Sequence, residues 1–328
     1  MQRYDITAVG ESLIDFVTLP GSDPQKLSIE GNPGGAPANV LAAGAKLGLR
    51  TAFIGKLGQD AFGRFLAGVM RDAGVDTRGV VFSAEAPTTL AFVSLDEKGD
   101  RSFSFYRQNT ADVRLEPKEL DRELIASSRI LHFGSVSLTD SPAREATLAA
   151  ARYAREQGVA VSYDPNLRPL LWKDLNEAKV MIAQGLDLAD YAKVSEEELE
   201  FLAGEADVED GMARLMEGRR LRLLVTTMGP RGCACRTAEG LCVYAPAYDV
   251  KSVDTTGAGD TFWGAALHCI LTEGRDVEDW SMGRLSAMLR FANAAGSLST
   301  TRRGAIPAMP GREEIEACVK STPPLSLR

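Results

Sequence analysis

The sequence lacks the long apolar runs that membrane-spanning proteins need and the excess of basic residues that nucleic-acid binders need. Across its 328 residues, no apolar run approaches the ~20 residues that span a membrane. The first ten residues lead straight into a strand pattern, without the apolar segment and cleavage site of a secretory signal. Lysine and arginine total 37 against 45 aspartate and glutamate residues, whereas nucleic-acid and anionic-membrane binders need a basic face. We therefore expect neither a membrane nor a nucleic-acid partner.

Cysteine and histidine are also scarce, with five and two residues. Cys233 and Cys235 flank one residue, and without a second Cys or His cluster they do not form a zinc site. Both histidines, His132 and His268, lie in apolar segments and are interpreted as packed side chains, so no Ser–His–Asp or Cys–His arrangement can be argued. The odd number of cysteines predicts reduced thiols in a cytoplasmic protein.

Short apolar strands alternate with helical patterns along most of the chain, and no internal repeat or low-complexity linker interrupts them. This alternation is typical of an open, largely parallel sheet, so we predict an α/β fold. The length allows one large domain or two medium ones. Predicted strands cover residues 6–10, 51–54, 129–133, 159–164, 191–194 and 223–227, and predicted helices cover 38–47, 60–73, 142–157, 176–183, 196–203, 262–271 and 276–298.

Residues 88–107 break this rhythm, because apolar and polar residues alternate there on both sides of a polar segment, 96–100, that contains Gly99. Alternation around a glycine-containing turn predicts a β-hairpin. Phe103 and Phe105 would lie on one face of it. The pattern alone leaves two interpretations open: an edge hairpin of the main sheet, or a small separate sheet that covers a site.

Residues 253–262 read VDTTGAGDTF and place a glycine-rich turn before a predicted helix, after a strand predicted to end at 254–256. The small side chains of Gly257, Ala258 and Gly259 let an anion approach the backbone N–H groups at a helix N-terminus. A carboxylate at Asp260 repels such an anion unless it has a task, and accepting a proton from an attacking hydroxyl is one. The alternative is that Asp260 only caps the helix.

Two more polar segments come early in the chain. Asp15 lies just past the first strand, where ligands of open α/β sheets bind, although it could be a solvated loop acid. Gly34 and Gly35 permit tight backbone and close ligand approach. Asn39 opens a predicted helix and could serve as a cap or as a ligand for hydroxyl groups.

Three further segments follow later strands. Asn166 and Arg168 project beyond a turn fixed by Pro165, and a planar guanidinium suits phosphate or a sugar oxygen, although a surface ion pair is also possible for Arg168. Ser195 followed by Glu198 predicts a capping box at a helix start. Residues 227–232 read TMGPRG and predict a turn between two strands.

Taken in order, these segments resemble the ribokinase-like, or PfkB, family of carbohydrate kinases. The resemblance implies one ribokinase-like domain over 1–328, with a β-sheet lid from about 14–32 and 86–108. It implies transfer of the γ-phosphate of ATP to a sugar hydroxyl, with Mg²⁺. Residues 33–40, PGGAPANV, resemble the fructokinase form, so the expected reaction is fructose to fructose 6-phosphate. A 2-keto-3-deoxygluconate kinase and a non-catalytic sugar-binding protein are the alternatives.

The resemblance also implies roles for individual residues. The catalytic set comprises Asp260 as the base, Gly257, Ala258 and Gly259 as an anion hole, and Arg168. The sugar-binding set comprises Asp15, Gly34, Gly35, Asn39, Phe105, Arg107 and Asp260. The nucleotide-binding set comprises Lys193, Thr227, Gly229, Gly232, Gly257, Gly259 and Asn293. The metal set comprises Asn166 and Glu198 for water-bound Mg²⁺, and Asp254 and Thr256 for a monovalent cation such as K⁺.

One departure from the family pattern concerns its Asn-x-x-Glu element, which has Ser195 in place of the asparagine. The role of Glu198 carries over, whereas a contact from Ser195 does not. For an acidic substrate such as 2-keto-3-deoxygluconate, Arg107 on the hairpin is the cation we expect to pair with the carboxylate. Exposed lid strands also predict edge pairing into a homodimer.

Overall fold

The computed structural model describes residues 3–19, 25, 28–95 and 101–326. The turn predicted at 96–100 lies outside the described residues, as does most of the segment 20–27. The strands are β1 Tyr4–Val9, β2 Leu13–Leu19, β3 Ser28–Gly34, β4 Thr51–Gly58, β5 Val75–Ser83, β6 Leu90–Leu95, β7 Arg101–Tyr106, β8 Ser128–Gly134, β9 Ala160–Asp164, β10 Tyr191–Ser195, β11 Leu223–Thr227, β12 Cys233–Thr237 and β13 Cys242–Ala245. The α-helices are α1 Ala36–Lys46, α2 Ala61–Asp72, α3 Arg122–Ala126, α4 Ala143–Glu156, α5 Leu175–Leu188, α6 Glu196–Ala203, α7 Val208–Met216, α8 Ala258–Thr272, α9 Met282–Ser299 and α10 Arg312–Ser321.

Nine strands form a large sheet in the order β13-β12-β11-β10-β9-β8-β1-β4-β5. The strands from β11 to β5 run parallel, whereas β12 and β13 are antiparallel. Alternate residues of a strand face opposite sides of a sheet, and here they enter two separate cores: Val225 packs in one and Leu224 in the other. Helices cover both faces, so the predicted mostly parallel α/β sheet is confirmed.

The parallel strands place their carboxyl ends at one edge of the large sheet. The segments that follow β1, β9, β10 and β11 therefore lie side by side, because these strands are near neighbours in the sheet order. These are the segments in which the sequence shows Asp15, Asn166, Glu198 and the 227–232 turn. An edge of this kind is where open α/β sheets bind their ligands.

A second, four-stranded sheet has the order β3-β2-β6-β7. Strands β6 and β7 pair antiparallel, which confirms the predicted hairpin, and β6 pairs with β2 rather than with the large sheet. Asp15 pairs with Ala91, which pairs with Phe105, so these residues share one face. Phe16 and Phe92 share the opposite face, where their rings stack at 5.0 Å. The hairpin is thus part of a small separate sheet.

The region before α8 corrects one prediction. Residues 254–256 do not end a strand, contrary to the prediction; the backbone N–H groups of Val253 and Asp254 both donate to the carbonyl of Thr300 instead. Helix α8 begins at Ala258, earlier than predicted, with Gly257 as its N-cap at a φ of +72°. Asp260 therefore lies inside the first turn and does not cap the helix.

The long helix predicted over 276–298 is also shorter than expected. Residues Val277–Asp279 form a separate 3₁₀ turn, and α9 starts only at Met282. The break lies at Trp280, which is extended, with a φ of −82° and a ψ of 136°. Its buried indole donates to the carbonyl of Arg275 at 3.3 Å. Anchoring this large side chain in the core interrupts a pattern that otherwise favours one helix.

The five cysteines are all free, as predicted. Within the described ranges, none of the helices combines the length and apolarity needed to cross a bilayer.

Candidate active site

Two adjoining cavities, of about 410 and 450 Å³, open at the carboxyl edge of the large sheet. The sheet-side cavity lies against the small sheet, whose Asp15 and Phe105 line it. The strand-end cavity is lined by Lys193, Glu198 and Thr227, at the ends of β10 and β11. Both cavities are lined by Asn166, Arg168, Thr255, Gly257 and Asp260. A group bound in one cavity can therefore meet a group bound in the other beside Asp260.

Asp260 is buried and held by two amides. The Nδ2 of Asn39 donates to its Oδ2 at 2.8 Å, and the Nδ2 of Asn166 donates to its Oδ1 at 3.2 Å. Burial raises the pKa of Asp260 to about 6, with a further rise from the charge of Asp164, while the bond from Asn39 opposes it. The carboxylate is thus oriented at the junction of the cavities and ionised above pH 6.

The glycine turn before α8 is tightly enclosed. A Cβ on Gly257 would lie 2.6 Å from the Cβ of Ala305, and its φ of +72° is itself unfavourable for other residues. A Cβ on Gly259 would come within 3.5 Å of the Lys193 Nζ. The Ala258 N–H donates to the carbonyl of Thr255 at 3.2 Å. The turn therefore presents backbone to both cavities, although the Ala258 amide already has an acceptor within the turn.

Beside the sheet-side cavity, Gly34 allows close packing against the Asp15 side chain, and Gly35 allows close packing against the Glu11 backbone. A Cβ on Gly34 would lie 2.1 Å from the Asp15 Oδ2, and one on Gly35 would lie 2.6 Å from the Glu11 carbonyl oxygen. Burial raises the pKa of Asp15 to about 6; Arg168 opposes this rise and Asp260 adds to it. Together with Asn39, these residues bring the predicted sugar-binding elements of β2, β3 and α1 to one cavity.

Glu11 also lines this cavity and was not among the predicted site residues. Its side chain is buried, and its Oε1 accepts the N–H of Ala36, the first residue of α1, at 3.3 Å. Burial raises its pKa to about 7. The only signal in the sequence that could have identified Glu11 is its position: it is an acidic residue that, like Asp15, follows the first strand closely.

On the other side, Lys193 forms a buried ion pair with Asp164, with Nζ and Oδ2 2.7 Å apart. Burial lowers the pKa of Lys193, but the carboxylates of Asp164 and Glu198 outweigh this and raise it overall. The ammonium is therefore charged beside the glycine turn, where an anion could approach it. Asp164 is a second member of the site that the predicted set omitted.

Glu198 forms the predicted capping box. The Ser195 Oγ accepts the N–H of Glu198 at 3.1 Å, and the Glu198 Oε2 accepts the N–H of Ser195 at 2.8 Å. The other oxygen, Oε1, accepts the N–H of Leu167 at 2.6 Å. Burial raises the pKa of Glu198. The side chain thus ties the start of α6 to the loop that carries Asn166 and Arg168.

Arg168 is exposed at the mouth of both cavities, with its Nη1 donating to the carbonyl of Leu167 at 3.2 Å. Its charge lowers the pKa of both Asp15 and Asp260. A guanidinium in this place can pair with an anion in either cavity.

Asp254 organises the turn that leads to Gly257. Its Oδ1 accepts from both the N–H and the hydroxyl of Thr256, at 3.0 and 2.7 Å, and its Oδ2 accepts the Gly304 N–H at 3.0 Å. No group of three or more His, Cys, Asp or Glu residues able to hold a metal occurs in the part of the chain that the structure describes.

Besides Gly34, which packs against the Asp15 side chain, four residues of the predicted set line neither cavity. The buried Asn293 donates from Nδ2 to the carbonyls of Ala245 and Pro246, at 2.9 and 3.0 Å, and not toward a ligand space. Gly229 and Gly232 flank the turn between β11 and β12, and a Cβ on Gly232 would lie 2.1 Å from the Ala245 carbonyl oxygen. The fourth, Arg107, is buried in a network of its own.

Arg107 was the cation predicted for a substrate carboxylate. Its Nε donates to the Asp112 Oδ2 at 2.7 Å, its Nη1 to the Thr139 Oγ1 at 2.6 Å and its Nη2 to the Val136 carbonyl at 2.9 Å. Each nitrogen of the guanidinium thus has a protein acceptor, and the structure corrects the expectation that this side chain faces the sugar.

Comparison with known proteins gives one consistent result for sequence and structure. The sequence profile described as pfkB family carbohydrate kinase matches residues 4–312. The chain is 45% identical over 320 residues to fructokinase-1 of Oryza sativa subsp. japonica, covering 96% of this chain and 98% of that protein.

Two solved structures are similar over almost their whole length. The fructokinase of Xylella fastidiosa with bound ATP has a TM-score of 0.89 at 36% identity, covering 96% of this chain and 98% of that chain. A double mutant of the Vibrio cholerae fructokinase, bound to fructose, ADP and potassium ion, has a TM-score of 0.85 at 33% identity, covering 97% and 99%.

Proposed function

Because the chain belongs to the pfkB family of carbohydrate kinases, we propose that it transfers the γ-phosphoryl group of ATP to fructose, giving fructose 6-phosphate. Its two sheets and flanking helices form a ribokinase-like fold. The observation that carries the proposal is the position of Asp260, which is held by two amides where the cavities meet. A sugar hydroxyl from the sheet-side cavity and a phosphoryl group from the strand-end cavity would meet at this carboxylate.

In this proposal, Asp260 accepts the proton of the attacking hydroxyl. A carboxylate is a weak base for an alcohol, but a loose transition state forms little bonding to the nucleophile, so the proton can leave late. Asn39 and Asn166 fix the two carboxylate oxygens and thereby direct the remaining lone pairs. Asp15 and the Gly34–Gly35 backbone would hold the sugar hydroxyls.

Charge on the transferring phosphoryl group would be stabilised from two directions. The backbone of Gly257 and Gly259 lines the strand-end cavity at the N-terminus of α8, where N–H donors and the helix dipole favour an anion. Lys193 and Arg168 add two positive charges at the same cavity. Thr227, at the end of β11, lines the space beyond, where we place the rest of the nucleotide.

We propose that Mg²⁺ binds together with ATP, beside Asn166 and Glu198 in the strand-end cavity. When bound, Mg²⁺ offsets part of the negative charge of the phosphates. Both oxygens of Glu198 already accept backbone N–H groups, which suits contact through metal-bound water, and magnesium retains such waters readily. Asn166 lies at the same cavity.

For a monovalent cation such as K⁺, we propose the turn around Asp254. Its carboxylate joins Thr256 to Gly304 and so brings the backbones of two segments together beside α8. Carbonyl oxygens of these segments would be the ligands, since carbonyl and carboxylate oxygens suit hard cations.

The charges of the sheet-side cavity favour a neutral sugar over a sugar acid. Among the residues that the structure describes, the charged ones lining it are five acids, Glu11, Asp15, Glu30, Asp254 and Asp260, and two bases, Arg168 and Arg303. A carboxylate on the substrate would meet like charge in a buried space, which is costly without a dedicated cation. Arg107, the cation expected for that task, is engaged by Asp112, Thr139 and Val136. These contacts support fructose over 2-keto-3-deoxygluconate.

A substrate panel tests the proposal. We expect Mg-ATP turnover, measured by coupled ADP release, to be strong with fructose and weak or absent with 2-keto-3-deoxygluconate, ribose, tagatose, glucose and adenosine. Strong turnover with the keto-deoxy acid instead would keep the mechanism and overturn the acceptor. ATP binding without turnover on any sugar would favour a non-catalytic sugar-binding protein.

The pH dependence of kcat tests the role of Asp260. A base must be unprotonated, and burial raises the pKa of this carboxyl to about 6. We therefore expect kcat to be constant above about pH 7 and to fall tenfold per pH unit below about pH 6, as one carboxylate is protonated. Initial rates at saturating fructose and Mg-ATP provide the measurement. A kcat that stays constant down to pH 4.5 would contradict this assignment.

We further propose that the small sheet is a lid, from about 14–32 and 86–108, on a single kinase domain, and that the protein forms a homodimer through it. The face opposite the cavity carries Phe16 and Phe92, with Phe62 of α2 packed edge-on against Phe16 at 5.8 Å. Tyr106 on the same face is 65% exposed. Large exposed aromatic surfaces favour protein contacts, and the partner proposed is a second copy of this chain.

A further inference from the structure

A buried polar network lies at the base of the β6–β7 hairpin, and the proposed chemistry does not use it. We call it the hairpin-base cluster, and its members are Thr89, Arg107, Thr110, Asp112, Val136 and Thr139. The side chains of Arg107 and Asp112 are only 5% and 2% exposed. Charges this deeply buried are tolerated only when they are paired and hydrogen-bonded, so the geometry of the cluster is strongly determined.

Asp112 is the acceptor at the centre of the cluster. Its Oδ2 accepts the Arg107 Nε at 2.7 Å, and its Oδ1 accepts the hydroxyls of Thr89 and Thr110 at 2.5 and 2.8 Å. Thr89 directly precedes β6, and Arg107 directly follows β7. One carboxylate therefore holds both ends of the hairpin at the same point.

The guanidinium of Arg107 connects that point to the large sheet. Its Nη1 and Nη2 donate to the Thr139 hydroxyl and the Val136 carbonyl, in the segment that follows β8. Val136 lines the sheet-side cavity, as does Phe105, two residues before Arg107. The cluster thus sets the distance between two walls of the cavity: Val136, on the main body of the protein, and Phe105, on the hairpin.

We propose that Arg107 and Asp112 are positioning residues, which hold the hairpin at the angle that closes it over the sugar. This inference rests on the proposed fructokinase activity and extends it. Neither residue contacts the reacting groups; they act through Phe105 and Val136. A loosened cluster weakens the hold on the sugar and admits water to the phosphoryl group, because closure is what excludes water in enzymes of this kind. The binding of ATP, which occupies the other cavity, depends little on the cluster.

The test is Asp112→Asn, which keeps the volume and one acceptor but removes the charge that holds Arg107. We expect the KM for fructose to rise about tenfold and the KM for ATP to change less than about twofold. ATP hydrolysis without sugar should increase. These effects are expected because removing one partner of a buried ion pair strongly destabilises the structure around the other. Thr139→Val, a milder change that leaves both charges in place, removes the acceptor of Nη1 and the hydroxyl that donates to the Val136 carbonyl, and it should shift the same parameters in the same direction. If Asp112→Asn does not fold, Thr139→Val alone provides the test.

Asp190→Asn is the matched control. Asp190 is a buried carboxylate that accepts the N–H of Val161 at 2.8 Å and the guanidinium of Arg220 at 2.6 Å, and it lines neither cavity. It should lower Tm without changing the KM for fructose. Equal effects of the two charge removals on Tm, with no change in the KM for fructose, would overturn the positioning role and leave Asp112 a stabilising residue only.

Hydrogen exchange makes the outcome independent of the assigned substrate. In Asp112→Asn, the amides of β6 and β7 should lose protection while those of α4 keep it, because only the hairpin loses its anchor. Unchanged protection of the hairpin would overturn the proposal. If wild type showed no fructose-dependent turnover but the hairpin lost protection in the variant, the proposed function would fail and the anchoring would stand.

Discussion

Replacing Asp260 with alanine is expected to lower kcat by about 10³-fold, within the 10²–10⁴-fold that a positioned base contributes. The KM values for fructose and ATP should change much less, because Asp15, the glycine turns and Lys193 remain. Initial rates at saturating fructose and Mg-ATP, with Tm from circular dichroism, provide the measurement. Asp260→Asn should be no better than alanine, since its NH₂ group would oppose one of the two amide donors, from Asn39 or Asn166.

Asp190→Ala is the matched control for this experiment. Asp190 is also a buried carboxylate, accepting the N–H of Val161 at 2.8 Å and the guanidinium of Arg220 at 2.6 Å, but it lines neither cavity. We expect it to lower Tm and to leave kcat unchanged. Near-wild-type turnover of Asp260→Ala would remove Asp260 as the base, whatever the control does.

Replacing Gly257 with alanine is expected to lower kcat by about 10²-fold, the lower end of the loss when one oxyanion donor is misplaced. Two effects combine. The φ of +72° disfavours any Cβ, and this Cβ would lie 2.6 Å from that of Ala305, so the turn must shift. A shifted turn would move the N–H groups at the start of α8 away from the phosphoryl group. Saturating steady-state rates measure this loss.

The same helix offers a matched control. Gly274 follows the other end of α8 with the same φ of +72°, and nothing lies within 4 Å of the Cβ that an alanine would add. Gly274→Ala therefore carries the same backbone strain, about 1–2 kcal/mol for the left-handed conformation, without a collision near the cavities. We expect both variants to lose Tm, Gly257→Ala more so because of its collision with Ala305, and only Gly257→Ala to lose turnover. Equal kcat in both would exclude the turn as the anion hole.

Local patterns account for most of the fold that could be predicted. The alternation in residues 88–107 predicted β6 and β7, because a strand exposes its two faces with a period of two residues. The start of α6 could be predicted from Ser195 and Glu198, since a capping box joins groups three residues apart. Strand β5, which reads VDTRGVVFS, was missed because two charged residues and a glycine interrupt its apolar pattern.

Where a local pattern fits more than one structure, tertiary contacts decide which structure forms. Residues 276–298 favour one helix throughout, yet burial of the Trp280 indole separates a 3₁₀ turn from α9. Residues 253–257 fit a strand end as well as a turn, and it is the carbonyl of Thr300, more than 40 residues away, that accepts the N–H groups of Val253 and Asp254.

The predicted site residues also divide into those that local motifs identified correctly and those that tertiary contacts place elsewhere. Asp15, Asn39, Lys193 and Asp260 were named from motifs, and the structure brings all four to the two cavities. Arg107 and Asn293 were named by the same route, but their side-chain nitrogens donate to other protein groups. Glu11, which no motif singled out, lines the sheet-side cavity.

By itself, the sequence determined the α/β class, the family and the carboxylate beside the glycine turn, because these depend on patterns a few residues long. Only the tertiary structure decided which polar groups meet. Asn39 and Asp260 are 221 positions apart, yet one donates to the other at 2.8 Å. Arg107 finds Asp112, Thr139 and Val136 instead of a ligand. A buried donor must have an acceptor, and which acceptor lies in reach is set by how distant strands and helices pack.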